Sequence, residues 1–123
     1  MKKEDLTKRT TQEVLEHHLK YLHAGDLQGT LDDYAENAIL INMGGPKEGL
    51  EQIGAFFKDS IATCLPAETT YETIHCYVYK EEAYIVWKAD SPFCTIPYGT
   101  DTFIVKNGKI VWQSFAGIID WKK

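Results

Sequence analysis

Three side chains in this sequence carry chemistry that their neighbours do not. Asp101 stands in Tyr98-Gly-Thr-Asp101-Thr-Phe-Ile-Val105, a run of β-branched and aromatic residues. A carboxylate there is either a device that blunts a sheet edge or part of a site. As a site residue it has three openings: a neutral acid, a general base, or the partner of a nearby cation. Desolvation raises a carboxyl's pKa and pairing lowers it, so these imply opposite chemistry. Lys88 is the candidate cation. It shares strand parity with Tyr84, Val86 and Asp90, and pairs with Asp101 if that face looks into a pocket; otherwise it stands in solvent. His18 shares an apolar helix face with Leu15 and Leu22. It is either an ordinary core histidine or an acid/base, the usual role of imidazole near neutral pH. A His18–Asp101 pair across a pocket would make an acid/base dyad.

Other chemistries are disfavoured by the same spacing argument. His17, His18 and His23 do not fall on one helical face and no carboxylate cluster joins them, so no metal site is expected. Cys64, Cys76 and Cys94 are widely separated and set among apolar residues. They read as buried free thiols in a reducing cytosol rather than nucleophiles. The net charge of −5 excludes the basic stripe that nucleic acid requires. No apolar run approaches the ~20 residues of a membrane span. Met1-Lys-Lys-Glu-Asp5 leads into no apolar stretch, so a secretory leader is not expected and the location expected is cytoplasmic.

The elements that must position these residues follow from periodicity. The 123 residues fit one domain, 1–123, large enough for a real core. Residues 1–8 are charged and expected to fray. Thr10 or Thr11 caps a helix whose face is Val14, Leu15, His18, Leu19 and Leu22, ended at Gly25-Asp26. A short second helix runs from about Leu27 to Tyr34. Ala38–Met43 is a strand ended by Gly44-Gly45-Pro46. A third helix, near Leu50 to Leu65, presents Ile53, Phe56, Phe57 and Ile61, and Pro66 stops it. Strands follow over 69–79, 82–91, 98–106 and 109–119. Glu81-Glu82 turns between the first two, and Asn107-Gly108 makes a type I′ hairpin between the last two. Helices followed by a run of antiparallel strands make an α+β fold, with the helices gathered on one face of a curved sheet. The strands show no cleanly polar side, as in Ala83-Tyr-Ile-Val-Trp87. One face packs on the helices and the other needs a partner, which predicts a homodimer through the sheet.

The order of elements, with Ala24-Gly-Asp-Leu27, Tyr34-Ala-Glu-Asn-Ala38, Thr100-Asp-Thr-Phe103 and Asn107-Gly-Lys-Ile-Val111, resembles the nuclear transport factor 2-like superfamily over nearly the whole chain. Within it the chain is most similar to the SnoaL-like and ketosteroid isomerase-like branch. That resemblance implies a cone: a bent antiparallel sheet wrapped around N-terminal helices, in the cystatin-like manner, open at one end into an apolar pocket. Ketosteroid isomerases keep an aspartic acid neutral in an apolar site so that it donates a hydrogen bond, and Asp101 matches its position. The position of their general base is Asn42, and that of their catalytic tyrosine is His18; an amide cannot abstract a proton. By family position the pocket wall is Tyr34, Asn42, Phe56, Tyr84, Val86, Phe103, Gln113 and Phe115, with Asn42 and Gln113 as orienting amides. The resemblance implies a cofactor-independent isomerase, cyclase or lyase acting on a hydrophobic, carbonyl-containing small molecule. The alternatives are a non-catalytic carrier with the same pocket and a dimeric interaction module with a filled cone.

Overall fold

The structure, a computed structural model, describes residues 8–123; the fraying expected of residues 1–8 falls almost wholly outside them. Helix α1 spans Thr11–His23 and opens on a capping box: Thr10 accepts from the Glu13 backbone N–H, while the Glu13 carboxylate accepts from the Thr10 N–H. Gly25, with φ of 71°, ends it, and Asp26 caps α2, Leu27–Leu31. Strand β1 is Tyr34–Asn42, β2 Gly45–Glu48, and helix α3 Gly49–Thr63. Strands β3, Thr70–Tyr79, β4, Glu82–Asp90, β5, Cys94–Lys106, and β6, Lys109–Trp121, complete the chain.

The six strands form one sheet in the order β2-β1-β6-β5-β4-β3. All neighbours are antiparallel except β1 and β6, which run parallel. The expected α+β architecture is therefore present, with differences at the joins. The second helix stops at Leu31 because Tyr34 already pairs with Ile110 of β6. The segment after Gly44 is not only a turn: Gly45–Glu48 pairs with β1 as an edge strand. An edge is where Pro46, which has no N–H to donate, is tolerated. The β3–β4 turn is Lys80-Glu81, one residue earlier than expected, with Lys80 at φ 54°. Asn107 and Gly108 have φ of 52° and 71°, as a type I′ hairpin requires.

The inner face of the sheet packs on α1 and α3 through Val14, Leu15, Leu40, Ile53, Phe57, Ile85, Phe103 and Ile110. The outer face carries Tyr77, Tyr98 and Ile118, each more than half exposed, beside Tyr84. Cys64 and Cys94 are buried free thiols, but Cys76 is exposed, because β3 is the other edge of the sheet. Among the described residues, no helix is long and apolar enough to cross a membrane.

Candidate functional site

Between α1, α3 and the inner face of the sheet lies a cavity of about 400 Å³, within the range of small-molecule sites. Its walls are mainly apolar: Leu19, Leu22 and Leu40 from one side, Phe56, Phe57 and Phe103 from another, and Ile96, Phe115 and Ile119 along the sheet. Asp101, Gln113 and Trp87 supply its polar floor.

Antiparallel pairing sets that floor. Asp101 on β5 lies opposite Ile85 on β4 and Phe115 on β6, while Gln113 lies opposite Phe103. The Trp87 indole N–H donates to Asp101 Oδ1 at 2.7 Å, and the Gln113 amide N–H donates to Oδ2 at 2.7 Å. Gln113 is held in that orientation by Tyr34, whose hydroxyl donates to Gln113 Oε1. Every hydrogen bond of the chain Tyr34–Gln113–Asp101–Trp87 thus points its proton toward the carboxyl. Two donors on two oxygens suit a carboxylate, and each oxygen keeps a second lone pair that a proton can use.

Burial opposes that ionisation. It pushes the Asp101 pKa up from 3.8 to about 6, against the lowering effect of the Trp87 and Gln113 hydrogen bonds. A group with that pKa is mostly ionised at neutral pH yet basic enough to accept a proton. Burial, followed by the charges of Asp101 and Asp33, raises the Tyr34 hydroxyl well above its ordinary range, so Tyr34 remains a donor. The Trp87 ring has space because Gly99 stands opposite it: a Cβ at Gly99 would come within 3.0 Å of Trp87 Cε2.

His18 also lines the cavity and is 1% exposed. Its ring is enclosed edge-on by Tyr34, Phe57 and Phe103 at centroid distances of 5.6, 6.1 and 5.4 Å. Burial, reinforced by His23 and His17, lowers its pKa to about 3, so the ring is neutral at physiological pH. The two expected catalytic residues therefore share one cavity. The dyad does not form directly, since the hydrogen bonds of Asp101 go to Trp87 and Gln113.

Of the expected wall, Asn42, Phe56, Phe103, Gln113 and Phe115 line the cavity. Asn42 is the last residue of β1, where its Oδ1 accepts from the Gly44 N–H at 2.8 Å and from Lys47 Nζ at 3.2 Å rather than facing the floor. Tyr34 is buried behind Gln113 rather than in the wall. Tyr84, Val86 and Lys88 do not line it, because they occupy the opposite face of β4. Lys88 pairs there with Glu72 of the neighbouring strand at 3.5 Å, not with Asp101. The parity of β4 held the signal. Positions 82, 84, 86, 88 and 90 contain three charges, whereas Ala83, Ile85, Trp87 and Ala89 contain none. The uncharged set faces inward, and it brings Trp87 to Asp101.

His23, which the sequence did not place in the pocket wall, lines the cavity and stacks on Tyr71 with centroids 3.8 Å apart. Asp33 was also without a sequence signal beyond its neighbour Tyr34. It is fully buried, with Arg9 Nη1 at 2.8 Å and His17 Nδ1 at 2.7 Å from its Oδ1.

A family model described as a SnoaL-like domain matches residues 15–113 of this chain. No curated protein matches the sequence significantly. Solved structures share the fold at low identity. The epoxide hydrolase/cyclase-like enzyme SalBIII, of pyran ring formation in the polyether salinomycin, is 19% identical, with 91% of this chain and 95% of that one covered and a TM-score of 0.75. A nuclear transport factor 2-like protein of unknown function from Burkholderia xenovorans is 19% identical over 92% of this chain and 86% of its own, with a TM-score of 0.74. Another from Cytophaga hutchinsonii is 16% identical over 98% and 95%, with a TM-score of 0.69.

Proposed function

Because the chain belongs to the SnoaL-like domain family, we propose that its cavity takes a hydrophobic, carbonyl-containing small molecule and that Asp101 acts on it as a general base. The observation that carries this is the hydrogen-bond polarity around Asp101: Trp87 and Gln113 both donate to a carboxyl that burial has raised to about 6. Such a base removes a proton from the carbon next to a carbonyl. The C–H bond breaks, its electron pair moves into the enolate, and the proton rests on Asp101 until it returns to the same or another carbon. Isomerisation, cyclisation and elimination all begin this way. Gln113 and Trp87 orient the base, and Tyr34 orients Gln113. The neutral His18 ring faces the ligand as a hydrogen-bonding partner.

A carrier using the same cavity is the second reading. It is favoured by Asn42, an amide where ketosteroid isomerases have their base, and by both Asp101 oxygens already having donors. The assembly we propose is a homodimer through the outer face of the sheet, where Tyr77, Tyr98 and Ile118 are exposed together.

Ligand occupancy is tested by the indole N–H resonances of the three tryptophans during titration with apolar cyclic ketones. Trp87 bonds the carboxyl on the floor, whereas Trp112 lies on the opposite face from Gln113. A saturable shift of the Trp87 signal with Trp112 unmoved supports the reading. Ketones that leave the Trp87 indole unmoved throughout count against it.

A further inference from the structure

Behind His18, outside the lining of the cavity, stands a carboxylate that the floor does not use. Asp33 is 0% exposed and lies just before β1, with its backbone carbonyl accepting from the Ile110 N–H at 2.7 Å. Its two oxygens are unequal. Oδ1 takes Arg9 Nη1 at 2.8 Å and faces His17 Nδ1 at 2.7 Å; Arg9 also donates to the Gly108 carbonyl at 2.9 Å, which ties this corner to the β5–β6 hairpin. Oδ2 has no hydrogen-bond partner among the described residues, and neither does His18 Nδ1, although both atoms are buried. These two face each other across 3.9 Å. Two orphaned buried polar atoms are costly, and a hydrogen bond between them would satisfy both. That contact has a polarity. A carboxylate oxygen only accepts, so the proton must sit on His18 Nδ1.

We propose that Asp33 is a positioning residue for His18: it holds the imidazole as the Nδ1–H tautomer and leaves Nε2, unprotonated, for the molecule in the cavity. A carboxylate behind a histidine sets the tautomer and ring orientation wherever the second nitrogen has work to do. Here the imidazole is neutral, so the tautomer is a fixed property of the site rather than one averaged by protonation. The cavity then offers a ligand two acceptors, Nε2 of His18 and the Asp101 carboxylate. The polar group it brings there must carry a donor or an acidic hydrogen: a hydroxyl, an enol, or a C–H next to a carbonyl. The role of Nε2 toward a ligand rests on reading the cavity as a binding site; the tautomer itself does not.

The tautomer is read by nitrogen-15 NMR of the ligand-free protein at neutral pH, through couplings between the ring carbons' protons and the two nitrogens. The His18 pattern is assigned by its loss in His18→Gln, or by elimination with variants of the other three histidines. The expected result is a protonated Nδ1 and a bare Nε2. In Asp33→Asn the side-chain amide presents N–H to Nδ1, and the proton should move to Nε2. A wild-type His18 protonated on Nε2 overturns the proposal, whether or not the Asp33 variant folds. So does an Asp33→Asn protein that is folded by circular dichroism and retains the wild-type pattern. Neither outcome depends on whether Asp101 catalyses anything.

Discussion

Asp101 should cost this protein stability at neutral pH, and the cost should disappear in acid. The carboxyl has a pKa of about 6 in the folded state against an ordinary 3.8, with burial as the leading cause. The folded protein therefore holds a proton between those values that the unfolded chain has already released, and stability must fall as pH rises through the interval. At about 1.4 kcal/mol per pKa unit the full penalty is on the order of 3 kcal/mol. Roughly 2 kcal/mol of it develops between about pH 4 and pH 7.5. Asp101→Asn removes the titration. Its own cost is the donor left facing its amide N–H, and that does not change with pH. Urea denaturation of both proteins across this range isolates the effect, since the other ionisable groups titrate in both and largely cancel. The variant should gain on the wild type by about 2 kcal/mol from the acid to the neutral end. A difference constant with pH would show that the carboxyl is not raised. A difference of opposite slope would show that the Trp87 and Gln113 hydrogen bonds outweigh burial.

Tyr34→Phe removes the donor to Gln113 Oε1 in a buried site; it should cost about 1–3 kcal/mol in urea denaturation, and an unchanged midpoint would argue against the relay. Gly117→Ala places a Cβ 2.8 Å from Phe115 Cζ and 3.0 Å from the Tyr98 carbonyl oxygen. It should lower stability by about 1–3 kcal/mol and disturb the Trp87 indole signal through the Phe115–Trp87 contact. Ile118→Lys puts a charge in the exposed apolar patch; wild-type protein should sediment at about twice the 14.0 kDa chain mass and the variant as a monomer. A wild-type monomer would contradict the dimer.

Much of the architecture was legible because it rests on local rules. The capping box at Thr10, the stop at Gly25-Asp26 and the Asn107-Gly108 hairpin each depend on a few adjacent residues. What escaped was decided by pairing between distant segments. Gly45–Glu48 has no strand composition and becomes a strand only because β1 lies beside it. Asp101 and His18 were visible as a carboxylate among β-branched residues and an imidazole on an apolar helix face, and the cavity includes both. Trp87 was missed through assigning β4 the wrong inward parity, although the three charges on the other parity pointed outward. Asp33 follows Asp32 in a helix exit and looks like ordinary surface charge. Only the fold brings Arg9, His17 and His18 around it.

The general-base role of Asp101 is tested most directly by solvent deuterium exchange. Apolar cyclic ketones are incubated with the protein in deuterium oxide near neutral pH, and incorporation next to the carbonyl is followed by proton NMR. The wild-type protein should accelerate exchange above the buffer rate, and Asp101→Asn, folded and still binding the ketone at the Trp87 indole, should not. Ketones that bind in the cavity yet exchange at the buffer rate, or exchange equally fast with Asp101→Asn, would contradict a catalytic Asp101 and leave the cavity as a carrier's.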